Sequence, residues 1–231
     1  MFDIFYGIEK TSLVDYEGYI VCTLFTKGCN FRCHFCHNAK LALDESIENI
    51  KFDEIYEYLN KRKNVLDGVC ITGGEPTLIN DLPDVIKKIK ELNLKIKLDT
   101  NGSNPDMVKY LIDNKLVDYI AMDIKSGLSG YSKITNIITP PLDKIKETIN
   151  ILKSSNIDYE FRTTLVEEFH KINDIIEIGI LLNNEKILYL QHFVDHGTCL
   201  AQDLHEVDLS TAINYQKILK EYIKEVKLRG Y

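Results

Sequence analysis

The chain has 231 residues, 45% hydrophobic and 27% charged, a composition that excludes a disordered chain and suits one α/β domain. Its formal charge of −7 excludes nonspecific nucleic-acid binding, because phosphate contacts need a basic face. No apolar run approaches bilayer-spanning length, and Asp3, Glu9 and Lys10 interrupt the stretch where a signal peptide needs its apolar core, so a cytoplasmic protein with reduced cysteines is expected.

After a lead-in, residues 1–18, the run Tyr19–Thr26 is β-branched and aromatic without helical period and reads as a strand. Gly28 ends it and opens a loop that runs to Asn38. Asp53–Lys63 carries Ile55, Tyr58 and Leu59 at helical spacing, and Gly68–Thr72 reads as a short buried strand. Asp81–Leu92 predicts a helix with Pro83 in its first turn and Val85, Ile86, Ile89 and Leu92 on one face. Lys95–Asp99 alternates as a strand, and Asn104–Asn114 reads as a helix started by Pro105. Asp118–Ile124 is the next strand; Leu142, Ile145, Ile149 and Leu152 mark the helix after it. Ile157–Val166 and Lys186–Val194 read as strands, Lys171–Leu182 and Ser210–Val226 as helices.

Six strand-then-helix units over residues 19–231 imply a parallel sheet with helices packed outside it. Six are too few for a closed eight-fold barrel. A single-domain, partial (β/α)6 barrel over 1–231 is the expectation, although an open doubly wound sheet gives the same alternation. The longest connection, Ser126–Pro141, lies between the fourth of these strands and its helix.

The loop Gly28–Asn38 holds Cys29, Cys33 and Cys36, half of the six cysteines. Clustered thiols in a reducing compartment mean metal or redox chemistry. Three thiolates are one short of a closed site, and an iron–sulfur cluster held by three cysteines leaves one iron open to a further ligand. Two other readings compete. The spacing also fits one helical face, although Gly28, Asn30, Arg32 and His34 argue against a buried stripe. Alternatively His34 or His37 completes a tetrahedral zinc site in a binding module. Cys22 and Cys70 lie inside strands and read as small core residues, while Cys199 near His196 reads as a free thiol or a ligand.

Chemistry in parallel α/β proteins gathers at the C-terminal strand ends. Here those ends carry the cysteine loop, Thr72-Gly73-Gly74-Glu75-Pro76, Asp99-Thr100-Asn101-Gly102, Met122-Asp123-Ile124-Lys125, Arg162-Thr163-Thr164 and Gln191-His192. Each string alone passes for a turn or an ion pair, but six at one rim point to a site.

The pattern Cys29-x3-Cys33-x2-Cys36 followed by Gly73-Gly74-Glu75 resembles the radical S-adenosylmethionine (SAM) superfamily. Phe5–Tyr16, Phe25–Asn38, Leu98–Pro105, Tyr119–Lys125, Tyr159–Thr164 and Lys227–Gly230 resemble anaerobic ribonucleoside-triphosphate reductase activating proteins, which are glycyl-radical-enzyme activases. The likeness is weakest at Asp195–Leu209. It implies a 4Fe–4S cluster on the three cysteines, whose open iron chelates the amino and carboxylate groups of S-adenosyl-L-methionine. It also implies that Gly73 and Gly74 allow close backbone approach, that Glu75 accepts from the cofactor ammonium, and that Phe35 lies against adenine. Asp99, Thr100, Met122 and Asp123 match a monovalent-cation site beside the cofactor carboxylate, with Lys125 and His192 near the carboxylate and ribose. The implied reaction is reductive cleavage of SAM to methionine and a 5′-deoxyadenosyl radical, which takes a hydrogen atom from a glycine Cα of the anaerobic ribonucleotide reductase. The implied electron donor is a flavodoxin or ferredoxin. A radical SAM enzyme for a small molecule, similar to 7-carboxy-7-deazaguanine synthase, would show the same triad.

Overall fold

The computed structural model describes residues 2–43 and 47–231, which leaves Met1 of the lead-in outside the described residues. Its centre is one eight-stranded sheet whose strands lie side by side in chain order. The strands are β1 (Phe5–Ser12), β2 (Val21–Thr26), β3 (Gly68–Gly73), β4 (Lys95–Thr100), β5 (Tyr119–Asp123), β6 (Asp158–Leu165), β7 (Ile187–His192) and β8 (Glu225–Arg229). From β2 to β8 every neighbouring pair is parallel, and β1 alone runs antiparallel, against β2. Central strands such as β2, with Val21, Cys22, Thr23 and Leu24 all buried, need apolar residues on both faces because helices cover the sheet.

The helices are α1 (Ala39–Ala42), α2 (Phe52–Arg62), α3 (Leu82–Lys90), α4 (Pro105–Asp113), α5 (Tyr131–Thr135), α6 (Leu142–Ser154), α7 (Ile172–Leu181) and α8 (Leu209–Leu219). In α3 the residues Leu82, Val85, Ile86 and Ile89 are buried on one stripe, and Pro83 sits in the first turn, where its missing N–H costs nothing. Asp208 caps α8 by accepting from the backbone N–H groups of Ser210 and Thr211 at 2.9 and 3.1 Å. Each of β2 to β7 is followed by a helix that returns the chain to the start of the next strand, as the six-unit reading expects for a partial barrel. No helix among the described residues is long and apolar enough to cross a membrane.

Two ends of the sheet differ from the sequence expectation. The lead-in supplies β1, an edge strand whose Glu9, Lys10 and Thr11 are exposed, as an edge that must not pair with another chain requires. The helix expected over Ser210–Val226 stops at Leu219, and Val226 belongs instead to β8. Its side chain is buried in both readings, so helical spacing alone could not separate them. What decides is the open edge of β7: the N–H groups of Lys224 and Glu225 donate to the carbonyls of Glu185 and Lys186, and β8 continues that pairing.

Candidate active site

The cysteine loop follows directly from β2 and has no helix before Ala39, so the buried helical stripe does not form. Its base is welded to the loop after β3. Gly74 N–H donates to Thr26 O at 2.9 Å and Glu75 N–H to Gly28 O at 2.8 Å. A Cβ on Gly74 would stand 2.0 Å from Gly28 O, and one on Gly73, at φ +112°, would stand 2.4 Å from Thr26 O. These glycines are therefore required by backbone packing against β2 and the cysteine loop, whatever approaches them from the cavity side. The other side of the loop rests on α5, inside the long connection 126–141: Arg32 N–H donates to Thr135 O at 2.9 Å and His34 N–H to Ile134 O at 3.4 Å.

Cys29, Cys33 and Cys36 are all free thiols and all line one open cavity of about 300 Å³ at the C-terminal rim, the size of a small-molecule site. Burial pushes the thiols up, Cys29 to about 12 with Glu75 adding to the rise and Cys33 to about 11, with the nearby Lys125 charge pulling Cys33 back. The histidines needed for zinc are engaged elsewhere. The His34 ring stacks on Phe169 at 5.4 Å, and His37 Nε2 lies 2.8 Å from Val194 O. Among the described residues, no group of three or more His, Cys, Asp or Glu side chains is set to hold a single metal ion. Three thiols spread around one cavity fit a multi-iron cluster, which takes one thiolate per iron, better than one ion.

Glu75 is buried, and its carboxylate ties three elements together. Oε1 accepts from Thr77 N–H at 3.1 Å, the Thr77 hydroxyl at 2.5 Å and the Thr100 hydroxyl at 2.7 Å, while Oε2 accepts from Asn101 N–H at 2.6 Å. Burial raises its pKa against those four bonds, and Oε2 keeps a lone pair for a further donor. Asn101 in turn reaches the cysteine loop, donating from Nδ2 to Asn30 Oδ1 at 3.0 Å and lying 3.8 Å from Cys29 Sγ.

Asp99, Arg162, Asp123 and Lys125 line the cavity floor, in an alternating chain of charges that Lys97 begins outside it. Lys97 Nζ lies 2.5 Å from Asp99 Oδ1, and Arg162 bridges Asp99 Oδ2 at 3.0 Å and Asp123 Oδ1 at 2.9 Å. Lys125 Nζ closes the row 3.1 Å from Asp123 Oδ2. Burial alone would raise the Asp123 carboxyl, but the Arg162 and Lys125 charges outweigh it and hold it down to about 2. Asp99 is lowered in the same way, against its burial, by Arg162 and Lys97. His170, buried behind this row, accepts from Val166 N–H at Nδ1, and its Nε2 bonds the Lys125 carbonyl at 3.0 Å, which fixes the tautomer and the Lys125 backbone.

Of the residues singled out in the sequence, Phe35, Gly73, Gly74, Glu75, Asp99, Thr100, Asp123, Lys125 and His192 join the three cysteines in lining the cavity. Phe35 belongs to a small aromatic cluster with Phe193 and Phe169, and His192 Nε2 pairs with Glu206 Oε2 at 2.9 Å. Met122 stands apart: its side chain is buried beneath Gly102, where an added Cβ would meet its methyl at 2.0 Å, and it is not among the cavity's lining residues. Arg162 entered the sequence reading only as part of a strand-end string, and Asn101 and Gln191 likewise; their signal was position at the rim, not residue type. Cys22 and Cys70 are fully buried in their strands, as expected, and Cys199 sits half-buried beside Asp195.

Residues 23–179 match the family model of the radical SAM superfamily. The chain is 29% identical, over 96% of its length and 94% of the relative's, to a Methanocaldococcus jannaschii protein provisionally named a glycyl-radical enzyme activating enzyme. It is 28% identical to the pyruvate formate-lyase-activating enzyme of Clostridium pasteurianum, over 73% of this chain and 86% of that one. In fold it is similar to Streptococcus suis SuiB bound to its precursor peptide, with a TM-score of 0.69 at 15% identity, covering 90% of this chain and 48%, about half, of SuiB. The match spans the cysteine loop, the Gly73-Gly74-Glu75 turn and the charged floor alike, and the chain belongs to the radical SAM superfamily.

Proposed function

We propose that this chain is a cytoplasmic activating enzyme that installs a glycyl radical on an anaerobic ribonucleoside-triphosphate reductase, with residues 1–231 acting as one radical SAM domain behind the lead-in 1–18. The observation that carries the target is where two of the strings resembling reductase activases lie. Phe5–Tyr16 and Lys227–Gly230 sit on β1 and β8, the two end strands of the sheet. Glu17, just past the first string, ties it to the second at the end of the sheet opposite the cysteine loop: its Oε2 lies 3.5 Å from Arg229 and accepts from the Tyr189 hydroxyl at 3.2 Å. Arg229 is itself fixed by Glu160 at 2.9 and 3.0 Å, and Gly230 packs on His192 beside the cavity. At the cysteine-loop end of the sheet, where Phe5 pairs with Thr26 and Gly230 lies by His192, the two strings would flank the side of the partial barrel by which a partner's glycine loop enters.

The cluster and SAM, when bound, supply one-electron cleavage of the sulfonium and a 5′-deoxyadenosyl radical. Cys29, Cys33 and Cys36 would hold the cluster, and the remaining lone pair of Glu75 Oε2 would receive the cofactor ammonium. Lys125 and Arg162 would face the cofactor carboxylate, Phe35 would pack on adenine, and His192, steadied by Glu206, would orient the ribose. A reduced flavodoxin or ferredoxin would supply the electron.

The test is anaerobic reconstitution with iron and sulfide, reduction by dithionite with SAM, and analysis for methionine and 5′-deoxyadenosine. Adding the reductase should then give the doublet of a glycyl radical in its electron paramagnetic resonance spectrum. Cofactor cleavage without a radical on the reductase would refute the target and favour a small-molecule substrate.

A further inference from the structure

The Asn101 side chain uses its acceptor and both of its donors, and one of the donors meets a sulfur of the triad. Oδ1 accepts from Ser103 N–H at 2.9 Å. A backbone N–H only donates, so this bond assigns the oxygen and the nitrogen of the amide; a flipped amide would set its NH2 against Ser103 N–H. Nδ2 then offers two hydrogens. One goes to Asn30 Oδ1 at 3.0 Å and the other to Cys29 Sγ at 3.8 Å, a hydrogen-bond separation for an acceptor as large as sulfur. The Asn30 amide is assigned in turn, because its Oδ1 faces the Asn101 donor while its Nδ2 reaches Ser103 Oγ at 2.9 Å. Asn101 is buried, and its own N–H is held by Glu75 Oε2 at 2.6 Å. Phe31 N–H donates to the same sulfur at 3.3 Å, so Cys29 Sγ receives one donor from the backbone and one from a side chain.

We propose that Asn101 is a positioning residue that raises the reduction potential of the cluster through Cys29. The sulfurs of an iron–sulfur cluster share the charge of an added electron, and hydrogen bonds to them are among the terms that set its potential. An N–H aimed at a cysteine sulfur stabilises the reduced, more negative form more than the oxidised one. The Asn101 donor is preorganised for this. Glu75, Ser103 and Asn30 hold the residue on three sides, so no side chain has to turn when the electron arrives. The Phe31 donor belongs to the cysteine loop itself, whereas the amide comes from the loop after β4. The same residue is anchored by the carboxylate proposed to take the cofactor ammonium, so the cluster and cofactor subsites share one support.

This inference rests on the cluster reading, and the experiment separates the two. The anaerobically reconstituted protein is titrated with dithionite in the absence of SAM, and the reduced cluster is followed by electron paramagnetic resonance against potential. Asn101→Leu is close in shape and removes the donor. At wild-type iron content its reduction equilibrium should move about tenfold toward the oxidised form, the scale of one hydrogen bond to a charged group, which lowers the midpoint by about 59 mV for one electron. An equilibrium within about twofold of wild type overturns the proposal. Asn101→Asp, which keeps the bond from Ser103 N–H and exchanges the donors for a charge, serves if the Leu variant does not fold or load iron. Its midpoint should fall at least as far, and an unchanged midpoint overturns the proposal equally. Asn30→Ala removes the neighbour of Nδ2 and leaves the donor to Cys29, so its equilibrium should stay within about twofold of wild type. A shift of about tenfold in that variant assigns the effect to the loop and overturns the role of Asn101. Failure of the wild-type chain to take up a 4Fe–4S cluster overturns the cluster reading itself, and this inference with it.

Discussion

Replacing Glu75 by Gln tests whether this carboxylate is a structural tie as well as a ligand contact. The residue is 1% exposed and accepts four hydrogen bonds, three at Oε1 and one at Oε2. A glutamine with its oxygen in the Oε1 position keeps the two threonines but turns an NH2 group toward Asn101 N–H, which now lies 2.6 Å from Oε2. Flipping the amide restores Asn101 and opposes Thr77 N–H instead. In either orientation one buried backbone donor loses its acceptor and faces another donor, which costs about 1–3 kcal/mol. With a urea m-value of roughly 2 kcal/mol/M, the midpoint of the cluster-free protein should fall by about 0.5–1.5 M. Iron loading should fall as well, because the same Asn101 holds Asn30 and approaches Cys29 Sγ. A Glu75→Gln protein whose midpoint stays within about 0.2 M of wild type would refute the reasoning, since the orphaned donor would then have found water or another partner.

Cys33→Ala should lose the reconstituted cluster, read as iron content and visible absorbance, and its unfolding free energy in urea should fall by about 1 kcal/mol because the thiol is 7% exposed and packs on the main core. Gly74→Ala places a Cβ 2.0 Å from Gly28 O, so the cysteine loop must move; a loss of about 1–3 kcal/mol in thermal unfolding and reduced iron loading are expected. The pH dependence follows from the Asp123 carboxyl held at about 2, below its value near 3.9 in an unfolded chain. A depressed acid contributes stability above its unfolded pKa and loses it as pH falls toward the folded value. Stability should therefore drop between roughly pH 4 and 2, and Asp123→Asn should flatten that part of the curve measured by urea unfolding at each pH.

The alternation of apolar runs was enough to read β2 to β7 and their helices, because each strand is buried on both faces and each helix carries one apolar stripe. The short end strands were not legible. Phe5–Ser12 has exposed charges at Glu9 and Lys10, which weaken any strand pattern, and Glu225–Arg229 hides behind Val226, a residue equally at home on the last turn of a helix. The site divides along the same line. The cysteines and Gly73-Gly74-Glu75 are contiguous in sequence, so their chemistry shows as spacing. The charged floor is assembled across strands: Asp99 on β4, Asp123 on β5 and Arg162 on β6 meet only because parallel register sets Asp123 opposite Arg162 and Asp99 opposite Ala121, one small residue away. Ala121 is small enough to let the Arg162 side chain cross β5 and reach Asp99 over it. A bulky residue there would block the guanidinium and leave both carboxylates to find another cation. The sequence strings named two acids at the rim; the residue that pairs with both emerges only when three strands are laid side by side.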